Sequence, residues 1–373
     1  MEEKVTKNIF LTGHVTEIAG PGYYLRDFLV SLPNCKNVVI FHPMPDSSLP
    51  ESVVTGYNPD AKVIAKYPKT QGFLRQLISD TWVTVKHIWQ FPGQIDIYVG
   101  LNNFDTLPAL LFKGHKIKQV VYYGSDYADH RFANPIFDKI YRLVELVVLA
   151  GCNLSISNTY RAMTRRIELG LDVTKALMIP NGTNTDVIPK VVKKPEFMFI
   201  YQGYISKTHG LVETIESLKK LPKEKLAVAG VGPHEQEMKE FVHQLGMDKQ
   251  VKFLGRLSHQ DLMNFMKQKC QVGIASYTLN ANWVKYGSPL KVKDYLACDM
   301  AVIMSDITEV AEEVKDYKMG IVYHDYAELH TAMRKLCADP KLLQKYIKNA
   351  RKYIRDYNWK DMFAAKLQPH LAL

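Results

Sequence analysis

Apolar residues along this chain fall into short runs separated by stretches of helical period, and the two kinds alternate almost from end to end. NIFL (8–11) predicts a first buried strand, with NVVIFHP (37–43) and DIYVG (96–100) as further ones. Between the first two, Gly20, Pro21 and Gly22 precede a helix whose apolar positions are Tyr24, Phe28 and Leu32. LNNFDTLPALLFKG predicts a helix after DIYVG. VVYYG (120–124) predicts a strand running out at Ser125-Asp126, and LSISNTYRAMTRRIELGL another strand and helix. The second half repeats the alternation in FMFIYQGYI (197–205) with LVETIESLKKL, KLAVAGVGPHEQEM, VKFLGRLSHQDLMNFMKQ and QVGIASY (271–277). Strand–helix units in series imply an α/β fold with parallel sheets and crossover helices. One helix stands apart. GFLRQLISDTWVTVKHIWQF places Leu74, Ile78, Trp82, Val85 and Trp89 on a single stripe, which either packs on a sheet or meets lipid headgroups.

The densest chemistry lies in Tyr286–Ile303, YGSPLKVKDYLACDMAVI. Ser288 is placed to cap a helix with Pro289 at its first position, and a short buried strand, AVIM, follows. Lys291 and Asp294, three apart, share one helix face. A helix start with a Lys in its first turn, together with the amides of Leu290 and Lys291, forms an anion site suited to a diphosphate. A carboxylate one turn on can accept hydrogen bonds from paired sugar hydroxyls. The grip fits a sugar nucleotide.

Charge and composition narrow the classes. The chain of 373 residues is long enough for two cores, and its net charge of +10 divides as +3 over residues 1–185 and +7 over 186–373. So diffuse an excess suits anionic substrates or membrane surfaces and gives no nucleic-acid stripe. Locally, Lys62, Lys66, Lys69, Arg75 and Lys86 face only Asp80, next to the Trp stripe. Five scattered cysteines with no C-x-x-C pair read as reduced thiols of a cytosolic protein. No signal peptide is legible in MEEKVTKNIFL, and LVELVVLAG is too short to span a bilayer. There is no Asp-x-Asp, zinc-ligand spacing, P-loop or G-x-S-x-G, so no metal ligands are expected. Protein cations and helix dipoles would have to neutralise a leaving diphosphate.

Tyr286–Ile303 resembles the donor-site signature of glycosyltransferase family 4, retaining enzymes of GT-B fold that use nucleotide sugars. Many members carry a Glu, seven residues and a second Glu. Here those places hold Tyr286 and Asp294, and SPLK followed by an acid resembles a subgroup. The resemblance extends over 118–187, where IPNG matches a turn closing the first domain, and is thin over 45–95. It implies two Rossmann-like domains with parallel sheets facing a central cleft. The first is an acceptor-side domain at 1–187, with a C-terminal helix at 357–373 packing back on it. The second is a donor domain at 188–356, reached through a linker at 186–196.

Residue by residue, the resemblance implies Lys291 and the amides of Leu290 and Lys291 on the diphosphate behind Ser288, and Asp294 on the ribose. Gly203, Lys207, His209 and Gly232 fall in the glycine loops of the donor side. Tyr204 and His209 replace family cations, so Lys207 is the firm cation of that loop, and His209 helps if protonated. Gly20 and Gly22 line the acceptor side. Asp126 falls near the transferred sugar, where relatives often carry His-Asp; read from its own sequence, it serves equally as a helix cap. The implied activity is retaining, metal-independent transfer from a UDP- or GDP-type sugar, with no cofactor, to a glycan, lipid-linked or other acceptor. The implied location is cytoplasmic, at most peripheral on the inner membrane face. A sugar-nucleotide epimerase of the same fold, or a non-catalytic partner protein, remain alternatives because Tyr286, Tyr204 and His209 replace residues expected to be charged.

Overall fold

The computed structural model describes residues 6–17, 20–58, 60–185, 188, 194–278 and 284–372. Residues 1–5, and 186, 187 and 189–193 of the expected linker, lie outside the described residues. The chain forms two compact units, one running to Pro180 and including Trp359–Leu373, the other Asn181–Asn358.

The first unit is built on eight strands: β1 (Lys7–Val15), β2 (Cys35–Pro43), β3 (Glu51–Tyr57), β4 (Ala61–Pro68), β5 (Ile95–Gly100), β6 (Ile117–Gly124), β7 (Leu154–Ser157) and β8 (Ala176–Met178). Their order is β4-β3-β2-β1-β5-β6-β7-β8. β3 pairs antiparallel with both β2 and β4, and the other pairings are parallel. All six residues of β5 are buried, as a central strand covered on both faces requires.

Its helices are α1 (Pro21–Ser31), α2 (Phe73–Gln90), α3 (Asn103–Leu110), α4 (Pro135–Gly151) and α5 (Tyr160–Glu168). α2, α3 and α4 share one side of the sheet, where Ile88, Ala109, Val148 and Leu149 close on Phe10, Tyr98 and Tyr122. Elsewhere in the same unit α1 meets the C-terminal segment: Tyr24 stacks on Trp359 and Phe28 touches Phe363.

α2 turns the opposite way from a sheet-packing stripe. Its inward residues are Gln76, Asp80, Val83, Thr84 and Ile88, while Leu74, Ile78, Trp82 and Trp89 face out. The physical reason is a polar network beneath the helix. Asp80 accepts from Gln76, Ser52 and the imidazole of His14, and lies 3.1 Å from His42; His42 also meets Thr84. His14 in turn reaches Asp105 on α3 at 2.7 Å. Those groups must be satisfied once desolvated, and satisfying them fixes which face goes inward.

The second unit has six parallel strands: β9 (Phe197–Gln202), β10 (Leu226–Ala229), β11 (Val251–Gly255), β12 (Cys270–Ala275), β13 (Ala301–Ser305) and β14 (Gly320–Tyr323). They run in the order β11-β10-β9-β12-β13-β14. The helices are α6 (Leu211–Lys219), α7 (Glu235–Gln244), α8 (His259–Lys269), α9 (Leu290–Ala297), α10 (Glu309–Asp316), α11 (Tyr326–Ala338) and α12 (Pro340–Tyr353). They cover the sheet with two apolar cores, one holding Val292, Tyr295 and Leu296 of α9, the other Leu211, Ile215 and Leu218 of α6. β9, with five of six residues buried, is the middle of that layer.

Candidate functional site

α9 starts one residue later than its sequence suggests. Pro289 occupies the cap position at φ −61° and ψ 114°, and Leu290 is the first helical residue. Ser288 therefore does not cap. Its carbonyl accepts from Asn181 at 2.7 Å, and its hydroxyl is buried without a hydrogen-bond partner among the described residues. Proline costs nothing there, because the helix's first N–H groups have no intrahelical acceptor.

Lys291 lies in the first turn of α9. Its ammonium lies 5.2 Å from the ring centre of Tyr201 at the end of β9 and 4.9 Å from that of Tyr277 just beyond β12. Nζ is buried and makes no hydrogen bond to a described residue. Burial pushes the amine down from 10.5 to about 8. Two aromatic faces offset part of the desolvation, yet an ammonium has three donors to satisfy.

Asp294, one turn on, is buried and already held. Thr183 donates to Oδ1 at 2.9 Å, and Gln202 and His259 reach Oδ2 at 3.4 Å. The Asp294 contact in turn raises the pKa of His259 against its burial. Thr183 directly follows the Asn-Gly turn, Gln202 ends β9 and His259 opens α8, so three distant segments converge on one carboxylate.

The loops around Lys291 are close-packed. A Cβ on Gly203 (φ 137°) would sit 3.1 Å from Lys291 Nζ, and one on Gly230 (φ 143°) would overlap the Gly203 carbonyl at 1.9 Å. Gly232 abuts the Ile205 backbone, where a Cβ would lie 2.2 Å from the carbonyl oxygen. In the intervening loop Lys207 is exposed. His209 is not the helper cation expected from its position. Burial, then the charge of Lys291, drives its pKa down to about 4, so the ring is neutral near pH 7, with Nδ1 at 2.5 Å from Ser206. Tyr286 is buried, with Lys285 over its ring at 5.1 Å.

In the first unit, the carboxyl ends of β1, β5 and β6 surround a cavity of about 570 Å³. Gly20, Gly22, His14, Phe73, Asp126 and Tyr141 are among its lining residues. A Cβ on Gly22 would lie 2.5 Å from the tip of the Leu101 side chain, which would have to turn aside. Asp126 does not cap the next helix, since α4 is capped by Asn134. Instead the buried Arg166 of α5 braces the strand end. Its guanidinium donates to the carbonyls of Gly124 and Asp126 at 3.0 Å and pairs with buried Glu145 at 2.9 Å. The sequence pattern points to Lys291, Asp294 and Asp126, and not to Tyr201, Tyr277, Thr183, Gln202, His259 or Arg166. None of these six stands in a motif, and their signal is spatial. Among the described residues no group of three His, Cys, Asp or Glu is placed to hold a metal ion.

Residues 184–353 match the model of the family Glycosyl transferases group 1. No curated protein sequence matches the chain. Sucrose-phosphate synthase from Thermosynechococcus elongatus has a similar structure at 16% identity and TM-score 0.74, over 96% of this chain and 97% of that one. Anabaena HepE, solved in complex with UDP, is similar at 14% identity and TM-score 0.66, over 96% and 99%. WaaG, a glycosyltransferase involved in lipopolysaccharide biosynthesis, is similar at 13% identity and TM-score 0.67, over 96% and 99%. This chain thus resembles the group 1 glycosyltransferases over residues 184–353, and it has the GT-B fold over nearly its whole length.

Proposed function

We propose that the protein moves a sugar from a nucleoside diphosphate sugar, of UDP or GDP type, to a glycan or lipid-linked acceptor, with retention and without a metal ion. The observation that carries this reading is the buried ammonium of Lys291 in the first turn of α9, which has no hydrogen-bond partner among the described residues. A diphosphate placed there gains the ammonium and the first amides of the helix, Leu290 and Lys291 among them, as donors. Its charge grows as the glycosidic bond breaks, so the same groups stabilise the transition state more than the bound donor. Asp294 offers the ribose a carboxylate already oriented by Thr183 and His259. In this reading Gly203 and Gly232 let the backbone approach the donor, and Lys207 and neutral His209 flank the leaving group. Asp126 is the carboxylate on the acceptor side, beside Gly20 and Gly22. UDP complexes of HepE, a protein of the same fold, support a UDP-type donor. Retention rests on the family resemblance alone. The domain division follows the same reading, with donor binding in the second unit and acceptor binding in the first, on the cytoplasmic face of a membrane.

The test is thermal shift against a panel of UDP- and GDP-sugars in EDTA, followed by donor hydrolysis without acceptor. A donor that stabilises the protein and is slowly hydrolysed supports transfer. Epimer formed without acceptor would replace the reading by an epimerase, and binding of no nucleotide would leave a non-catalytic partner protein.

A further inference from the structure

Unit 1 exposes a second apolar stripe that matches that of α2. On α4, Ile136, Ile140, Leu143, Leu146 and Val147 are exposed, and Leu74, Ile78, Trp82 and Trp89 are exposed on α2. All nine lie between 42% and 70% exposure, where an apolar residue packed in a core would be near zero. The helices flank α3 and meet at one end. Phe73 at the start of α2 touches Phe132 and Phe137 at 5.3 and 6.1 Å, and α3 packs against both helices. The buried faces of both close on the same core, so their opposite, apolar faces look away from the sheet together. Apolar area of this extent on a soluble domain marks a place of contact.

Charge identifies the contact. α2 and α4 contain three acids between them, Asp80, Asp138 and Glu145, and all three are buried. Their cations stay outside: Arg75, Lys139 and Arg142 are exposed, and half-buried Lys86 lies over the rings of Tyr67 and Trp82. The outward faces therefore combine aliphatic and indole groups with positive charge only. Two copies of such a face repel one another, whereas an anionic bilayer satisfies both components, taking the apolar side chains below the headgroups and the cations among them. The acceptor-side cavity is lined by Phe73 and Leu77 of α2 and by Phe132 and Tyr141 beside and within α4, so it lies at the edge of the same face.

We infer that the α2–α4 face docks on an anionic lipid bilayer and presents the unit 1 cavity to an amphiphilic acceptor held in that bilayer. The inference deepens the membrane-side acceptor of the function proposed above.

Flotation of the full chain with phosphatidylcholine vesicles, with and without phosphatidylglycerol, tests it, and the assay contains no nucleotide. Binding is expected only with phosphatidylglycerol and weakened by salt. Each cation at the surface contributes roughly fivefold to partition, so Lys139→Gln/Arg142→Gln should lower it about 25-fold. Ile140→Ser/Leu143→Ser on α4 and Ile78→Ser/Trp82→Ser on α2 should each lower it at least tenfold, with circular dichroism and thermal shift by UDP unchanged. Failure of the wild-type chain to float at low salt would overturn the inference, as would α4 variants that float like wild type. So would a wild-type dimer dispersed by these variants while vesicle binding stayed the same. Because UDP binding is read separately, loss of this face and loss of the donor site give different results.

Discussion

Replacing Lys291 by Met should stabilise the free protein and abolish donor binding, two effects of opposite sign from one substitution. In the free protein the ammonium is buried against the rings of Tyr201 and Tyr277 with no hydrogen-bond partner among the described residues, and burial lowers it from 10.5 to about 8. That displacement corresponds to about 3 kcal/mol of instability at neutral pH. The stem is half-buried, and solvent around it trims the figure to about 2 kcal/mol. Methionine is apolar, of similar length and suited to aromatic neighbours, so it removes the desolvated charge without opening a cavity. For a unit of 178 residues (Asn181–Asn358), about 2 kcal/mol raises the melting temperature by roughly 4–8 °C.

The pH dependence gives a second handle. Between about 8 and 10.5 the unfolded chain holds a proton on Lys291 that the folded chain has released, so wild-type stability rises with pH across that window. The Met variant lacks that rise. Donor binding runs the other way, because a diphosphate requires the ammonium; affinity should fall up to tenfold per pH unit above about 8. Calorimetry with and without UDP reads all of this, since a ligand at a hundred times its Kd adds about 2.7 kcal/mol to wild type and nothing to the variant. A Met variant that is less stable than wild type, or that still gains stability from UDP, would refute the argument that this ammonium awaits a diphosphate.

Asp294→Ala should weaken donor affinity ten- to a hundredfold, about 1.5–3 kcal/mol for hydrogen bonds to a charged acceptor, measured by titration calorimetry. It should also return the His259 pKa toward its ordinary value by NMR, which a purely structural Asp294 would do without the affinity loss. Arg166→Met strands Glu145 in a buried site and should cost about 3–5 kcal/mol in urea unfolding. Glu145→Gln with Arg166→Met should recover part of that loss, and full stability of the single variant would show the pair to be unimportant. EDTA should leave the transfer rate unaltered; a rate abolished by EDTA and restored by Mn²⁺ would reject charge neutralisation by Lys291 and α9.

The sequence alone determines the alternation of strands and helices, because burial on both faces of a parallel sheet demands continuous apolar runs such as IDIYVG. It also determines the order and spacing of SPLKVKD, since Lys291 and Asp294 share a helix face wherever that helix lies. The position of the cap was not legible, because Ser288 and Pro289 are both good residues for the start of a helix and only the packing around Asn181 chose between them.

Tertiary structure also decided which face of α2 turns inward. The period of Leu74, Ile78 and Trp82 announces an amphipathic helix, but the inward side is set by Asp80 and Thr84, whose partners His14, His42 and Ser52 come from other strands. Likewise, no local pattern tells that Tyr201 and Tyr277, from two different strand ends, close around Lys291, or that Thr183, Gln202 and His259 meet at Asp294. Periodicity records how a segment divides apolar from polar. The partners that desolvate a charge, and so set its pKa and its appetite for a ligand, are brought to it only by the folding of the whole sheet.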